Sequence, residues 1–312
     1  MDFTHFAQAV EQNVAKVIIG KTEVTELMLV ALLTEGHVLL EDVPGIGKTT
    51  LAKALARSLD CTFARIQFTP DLLPSDVTGL NYYNQKIQEF EFRPGPVLSQ
   101  VLLGDEINRA TPRTQSSMLE AMQERQVTVD GETYPLPLPF MVMATQNPIE
   151  LEGTFPLPEA QVDRFLMQLA LGYPTEDEEE EILLTYQRDD PLVDLQAVAS
   201  AEDVVELQRE AREIHISTDV RRYILQVVRT TREHEAVDLG VSPRGSLALF
   251  RSSQALAALR GRDFVIPSDV QYLCAPVLTH RLHISPRIRL RGRTPAEVVA
   301  EIVGSVPVPV VE

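Results

Sequence analysis

Apolar residues recur at three- and four-residue spacing at Phe3, Phe6, Val10, Val14 and Val17, one stripe of an amphipathic helix. Val24, Leu27, Met28 and Ala31 predict a second helix. The pattern then shifts to short apolar runs at residues 37–40, 62–66, 101–103, 140–144 and 165–171. Each is too short for a buried helix, and helical patterns such as 48–59 and 114–124 lie between several of them. Short apolar strands alternating with helices predict an α/β fold, a parallel sheet with helices on both faces.

Two segments interrupt this rhythm. Residues 126–136 read as a hairpin, with Val127 and Val129 alternating, Asp130-Gly131 as a type I′ turn pair, and Tyr134 opening the return. Residues 79–92 read as another, with Tyr82, Ile87, Phe90 and Phe92 around Asn84-Gln85-Lys86. Neither is needed to build a βαβ sheet, so both are expected to reach outward. After Gly172-Tyr173-Pro174 the texture becomes mostly helical: the acidic run 176–181 as a first helical turn, then 204–214, 220–234, 246–259 and 270–277. Ser217, Ser242 and Ser268 are expected N-caps, with Pro243 at a first helical position. The predicted division is therefore an α/β domain over 1–173 and a smaller all-helical domain over 174–312.

Composition narrows the class without naming a function. The 312 residues are 44% apolar and 23% charged, a globular balance. The 2 cysteines, Cys61 and Cys274, make no disulfide framework and no thiolate zinc site. The first ten residues lack the pattern of a signal peptide, and no apolar run approaches the roughly 20 residues that span a bilayer. A soluble, cytoplasmic protein is expected. A formal net charge of −17 opposes unaided binding to a phosphate backbone, so nucleic acid is a disfavoured partner.

The strongest chemical signal is Val38-Leu39-Leu40-Glu41-Asp42-Val43-Pro44-Gly45-Ile46-Gly47-Lys48-Thr49-Thr50. An apolar strand enters a glycine-rich loop ending Gly-Lys-Thr, and a helix carrying Leu51, Leu55 and Leu59 follows. Such a loop, opened here by Pro44, turns backbone N–H groups of residues 45–50 toward a β-phosphate, and the helix N-terminus adds its positive end. Lys48 would reach the β- and γ-phosphates, and Thr49 would offer its hydroxyl to Mg²⁺. The general pattern begins with Gly six residues before the Lys, where this chain has Asp42. Gly45, Gly47, Lys48 and Thr49 still form the phosphate-facing part. A dinucleotide fingerprint would need Gly or Ala where Thr50 stands.

A second apolar strand ends in acids: Val101-Leu102-Leu103-Gly104-Asp105-Glu106. In a parallel sheet this delivers two carboxylates to the edge that carries the phosphate loop. Asp105 would hold Mg²⁺ through water, and Glu106 would polarise an attacking water, because phosphoryl transfer needs positioning and charge stabilisation rather than a covalent nucleophile.

With these segments the chain resembles an AAA+ ATPase with a five-stranded parallel sheet and a helical lid, and more closely the MoxR family. Residues 40–50, 103–110, 115–131, 144–148, 157–165 and Ser242-Pro243-Arg244 carry the resemblance over nearly the whole chain. It implies that Asn147 is sensor 1, orienting the lytic water, although an Asn before Pro148 is also a common turn. It implies that Arg164 is an arginine finger inserted into a neighbouring subunit's site, with Arg109 a rival for that position and a local pair with Asp163 or Glu159 the plain alternative. Arg244 matches sensor 2 on the lid. The adenine pocket is placed near Val17-Ile18-Ile19-Gly20, with Ile19 and Gly20 as contacts, a patch that equally suits core. The two hairpins match insertions of the helix-2-insert branch, which also contains magnesium chelatase motor subunits, and would face a pore or rim. The stretch 281–293, with Arg287, Arg289 and Arg291 alternating with Ile288 and Leu290, reads as a strand with one basic face, suited to a subunit or partner contact.

The family resemblance thus implies Mg²⁺-dependent ATP hydrolysis in a homo-oligomeric ring, expected to be a hexamer. That ring would be a chaperone-like remodelling motor acting with a von Willebrand factor A domain partner on a protein or metalloenzyme client. A magnesium-chelatase-like motor, a nucleic-acid-stimulated motor and an ATP-gated scaffold with little hydrolysis are the competing readings.

Overall fold

The computed structural model describes residues 1–147 and 153–309. Helix α1 (Phe3–Ala15) is capped by the Asp2 carboxylate and buries the predicted stripe Phe6, Val10 and Val14. Helix α2 (Thr22–Leu33) is apolar nearly all round and correspondingly buried from Val24 to Leu33 except at Glu26. Strand β1 (Val38–Glu41) then enters the sheet, and α3 (Lys48–Ser58) follows the glycine-rich loop. Strand β2 (Phe63–Gln67) leads to the short helix α4 (Pro74–Thr78) and to an antiparallel hairpin, β3 (Gly79–Asn84) and β4 (Glu89–Pro94). Strand β5 (Val101–Asp105) and helix α5 (Pro112–Glu124) precede the second hairpin, β6 (Gln126–Val129) and β7 (Glu132–Pro135). Its turn has φ of +50° at Asp130 and +88° at Gly131, the two left-handed residues a type I′ turn needs. Strand β8 (Met141–Gln146), the single-turn α6 (Glu159–Val162) and β9 (Met167–Leu169) complete the α/β part.

The five strands β1, β2, β5, β8 and β9 form one sheet in the order β2-β5-β8-β1-β9, with every neighbouring pair parallel. Alternation along the strands divides the interior in two. Val38, Leu40, Val101, Leu103, Met141 and Met143 face one cluster, shared with α1, α2 and α3. Leu39, Leu102, Val142 and Ala144 face the other, closed by Met118, Leu119 and Met122 of α5. The two hairpins stand apart from this sheet and meet each other. Phe92 stacks on Tyr134 at 4.0 Å between ring centroids, and the Asn81 amide donates to the Asp130 carboxylate over 2.9 Å.

From residue 176 the chain is largely helical: α7 (Glu176–Thr185), α8 (Ala201–Ala211) and α9 (Thr218–Glu233), then α10 (Pro243–Leu259) and α11 (Pro267–Leu278), and finally α12 (Pro286–Arg289) and α13 (Pro295–Ser305). The first cluster runs on into these helices through Leu207, Tyr223, Leu249 and Leu273, so lid and core share apolar packing. Ser217 and Ser242 cap α9 and α10 as expected. Ser268 does not: α11 starts one residue earlier at Pro267, and the Asp269 carboxylate accepts the N–H of Ile266. The lid is also not purely helical, because β10 (Val237–Leu239) pairs antiparallel with β11 (His283–Ile284). The predicted basic strand at 287–291 is instead the short helix α12, started by Pro286 at its first position. No helix among the described residues is long and apolar enough to cross a membrane.

Candidate functional site

The phosphate loop leaves β1 and turns into α3 through Gly45 and Gly47, with φ of +86° and +93°. Gly47 is the N-cap of α3 in the left-handed region, which a side chain would strain. The loop therefore ends at a helix N-terminus, whose first N–H groups have no intrahelical acceptor and favour an anion. Lys48 folds back over the loop, its Nζ donating to the Asp42 carbonyl over 2.8 Å. Partial burial pushes its pKa down, and the charges of Asp42, Asp105 and Glu106 oppose that shift.

Asp42, the departure from the general loop pattern, has a definite task. Its Oδ2 accepts the N–H of Leu171 and, over 3.1 Å, that of Gly172. A glycine at this position would leave both N–H groups of the segment between sheet and lid without that acceptor. The carboxylate thus ties the start of the phosphate loop to the lid connection.

Asp105 and Glu106 arrive at the carboxyl end of β5 beside the loop. Gly104 precedes them because a Cβ there would lie 2.9 Å from Phe68 and 3.3 Å from Met118. Asp105 Oδ1 accepts the Thr145 hydroxyl over 2.6 Å, and the same hydroxyl oxygen accepts the Glu106 N–H over 2.8 Å. Arg65 lies 2.6 Å from Asp105 Oδ2. Glu106 Oε2 accepts from the Gln67 amide over 2.7 Å and from Arg109 over 3.0 Å. Glu106 itself sits at φ +56° and ψ +51°, a strained conformation for a residue with a side chain.

Pro44, Gly45, Gly47, Lys48, Thr49, Thr50, Asp105, Glu106 and Asn147 line one cavity of about 440 Å³ together with Arg65, Gln67 and Thr145. The last three were missed in the sequence. Arg65 and Gln67 flank Ile66 at the end of β2, and polar residues at the carboxyl end of an otherwise buried parallel strand are a signal that could have found them. Asn147 closes β8 at the cavity wall; Pro148 lies outside the described residues. Thr49 and Asp105 present oxygen atoms, the donor type a hard divalent cation takes. Arg109 serves Glu106 of its own chain here.

The adenine segment lies beside the loop. The Ile18 side chain comes within 3.8 Å of where a Cβ of Gly47 would stand. At Gly20, φ +73°, a Cβ would collide with the Glu178 side chain of α7, and Lys21 pairs with Glu178 over 3.8 Å.

Arg164 and Arg244 lie elsewhere. They share a second cavity of about 460 Å³ with Arg125, Arg251 and Arg281, lined by none of the residues that line the phosphate cavity. Arg244 is half-exposed, 3.9 Å from Asp163. Among the described residues, neither Asp163 nor Glu159 forms an ion pair with Arg164; Asp163 pairs with Arg281 over 2.7 Å and Glu159 with His283 over 3.3 Å. Arg281 is buried, so this end of the basic stretch is no solvated or partner-facing surface.

The profile described as "ATPase family associated with various cellular activities (AAA)" matches residues 37–167, and that of the AAA lid domain matches 229–302. The chain is 43% identical over 306 residues to Chaperone MoxR1 of Mycobacterium tuberculosis, covering 95% of this chain and 81% of that protein. It belongs to the MoxR family of AAA+ ATPases. Protein MoxR of Paracoccus denitrificans is 34% identical, over 94% of this chain and 93% of that one. The uncharacterized protein YeaC of Bacillus subtilis is 52% identical, over 96% and 93%. A crystal structure from Cytophaga hutchinsonii, provisionally assigned as an ATPase, superposes with a TM-score of 0.92 at 38% identity, over 98% of this chain and 96% of that one. The MoxR chain described here is accordingly an ATPase, with the phosphate loop and the Asp105–Glu106 pair in one cavity.

Proposed function

We propose that this MoxR-family ATPase works as a ring, a hexamer, in which each phosphate loop is completed by cations from the adjacent subunit. The observation that carries this reading is the separation of Arg164 and Arg244 from the cavity of Lys48 and Glu106. Cations that neutralise a γ-phosphoryl group must approach within a few ångströms, and Arg164 and Arg244 do not share a cavity with their own loop. A neighbouring copy supplies the geometry that a single chain lacks.

Within the site, Pro44 opens the loop, the N–H groups of residues 45–50 and the Lys48 side chain hold the phosphates of ATP, and Ile19 and Gly20 adjoin the base. Thr49 and Asp105 are the residues that would hold Mg²⁺, which when bound neutralises charge between the β- and γ-phosphates. Glu106 accepts a hydrogen bond from the attacking water and takes its proton as the water oxygen bonds to the γ-phosphorus and the bond to the departing ADP oxygen breaks, and Asn147 orients that water. We place the junction of core (1–173) and lid (174–312) just after Leu171 and Gly172, where Asp42 reports the loop's position.

The two contacting hairpins suit force delivery to a protein client, a chaperone-like role in line with the name of the M. tuberculosis relative. A von Willebrand factor A domain partner, a metalloenzyme client and a cytoplasmic location complete the proposal. The test is subunit complementation. Glu106→Gln and Arg164→Ala subunits, each inactive in a phosphate-release assay, should regain turnover when mixed, with sedimentation reporting a ring in ATP. Silence of the mixture, with both variants folded and assembled, overturns the assignment of Arg164 to the neighbour.

A further inference from the structure

Arg281 makes more contacts than its place in a basic stretch predicts. Its side chain is 3% exposed, and a guanidinium carries five N–H donors. Nε donates to Asp163 Oδ1 over 2.7 Å, Nη1 to the carbonyls of Leu166 over 2.9 Å and Val277, and Nη2 to the carbonyls of Phe165 over 2.6 Å and Asp163 over 3.4 Å. Only the Val277 bond stays within the lid; every other one grips residues 163–166, the segment that carries Arg164.

Neighbouring lid residues reinforce the grip. The Ser242 hydroxyl donates to Asp163 Oδ2 over 3.2 Å, Arg244 lies 3.9 Å from the same oxygen, and His280 Nε2 bonds the Phe165 carbonyl over 3.1 Å. Phe165 itself is fully buried. On the core side the same segment is held by backbone bonds back to α6, from the N–H groups of Asp163, Arg164 and Phe165 to the carbonyls of Glu159, Gln161 and Val162, and by Leu166 N–H to the His37 carbonyl over 2.8 Å, with Phe165 packed in the core's second apolar cluster. Arg164 therefore stands on a backbone held from both sides, by its own core and by a fan of lid bonds centred on Arg281.

We propose that Arg281 is a positioning residue which couples Arg164 to its own subunit's lid. The lid connection is tied in turn to the phosphate loop through Asp42 and the N–H groups of Leu171 and Gly172. Nucleotide-dependent displacement of the loop in one subunit thus shifts the arginine that the subunit offers to the next. A buried guanidinium is suited to this because its planar fork fixes direction as well as charge, which an ammonium does not. The inference rests on the reading that Arg164 serves a neighbouring site.

The experiment compares Arg281→Met, Arg281→Lys and Asp163→Asn with Arg164→Ala. Displacement of a catalytic group by about 1 Å costs on the order of 10²-fold in rate, so Arg281→Met should lose roughly that factor in turnover. Affinity for ATP should stay within roughly twofold of the parent, since the phosphate loop is untouched. Mixing with Glu106→Gln subunits, which carry an intact Arg281 and Arg164, should restore turnover as it does for Arg164→Ala. Arg281→Lys keeps the Asp163 pair without the carbonyl contacts and should fall between parent and Arg281→Met. Asp163→Asn, which keeps an acceptor, supplies the same reading through a smaller defect should Arg281→Met fail to fold. If Arg164→Ala is rescued and the Arg281 and Asp163 variants are not, or if they turn over at the parent rate, Arg281 is only a structural residue. If Arg164→Ala itself is not rescued, the assignment of Arg164 and this inference fall together.

Discussion

Glu106 is where the proposed chemistry and an observed backbone strain coincide, and replacing it with Ala and with Gly separates the two. Both substitutions remove the carboxylate and the hydrogen bonds it accepts from Gln67 and Arg109, so those losses cancel in the comparison. At φ +56° and ψ +51° a side chain costs about 1–2 kcal/mol relative to the right-handed region. Alanine retains that cost and glycine does not. The looser unfolded chain of a glycine variant takes back about 0.4–1 kcal/mol. Glu106→Gly should therefore be the more stable variant by roughly 0.5–1 kcal/mol, read from paired denaturant titrations. In saturating ATP both variants should lose on the order of 10²–10⁴ in phosphate release, the usual contribution of a general base. An alanine variant as stable as the glycine variant refutes the left-handed geometry at Glu106. Hydrolysis surviving in either refutes its role in activating water.

Asp42→Gly, which restores the general loop pattern, should weaken the protein rather than improve it. It strips the acceptor from the N–H groups of Leu171 and Gly172, at about 1–3 kcal/mol for unsatisfied buried donors, and thermal melts of this variant beside Asp42→Asn measure it. Acid should destabilise the fold through His37, whose pKa burial and the Arg125 charge hold down at about 3. His280 is likewise held well below its ordinary value by burial and by Arg281. An unfolded histidine titrates near 6.5, so below that pH the unfolded chain binds more protons and stability falls as pH drops toward the folded pKa. From pH 7 to pH 5 His37 alone should cost about 2 kcal/mol, with His280 acting in the same direction; denaturant midpoints that do not move over that interval contradict neutral burial of these rings.

Much of the fold was legible because it is written in contiguous patterns. The five strands, the helices between them and the two hairpins each occupy an unbroken run whose period is local. Departures arose where a neighbour overrode the local pattern. The alternation at 287–291 satisfied a strand template, yet Pro286 opens a helical turn there. Ser268 looked like a cap, but the N-cap is Ile266, two residues earlier, and the Asp269 carboxylate accepts its N–H.

The candidate site divides in the same way. Lys48, Thr49, Asp105 and Glu106 stand out in sequence because a phosphate loop and a strand ending in acids are each continuous segments with their own chemistry. Arg65, Gln67 and Thr145 reach the acids only through strand order, since Gln67 pairs with Asp105 in register across β2 and β5, and β8 brings Thr145 from the other side. No local spacing encodes that. Nor could spacing tell that Arg281 would be buried against residue 163, over a hundred positions earlier, or that Arg164 and Arg244 would share a cavity away from Lys48. The amino-acid sequence by itself determined which segment has the pattern of a phosphate loop and which segments form the sheet, because those properties depend on near neighbours. Which charges face each other was decided only by tertiary packing, because electrostatic pairing depends on distance through space and not along the chain.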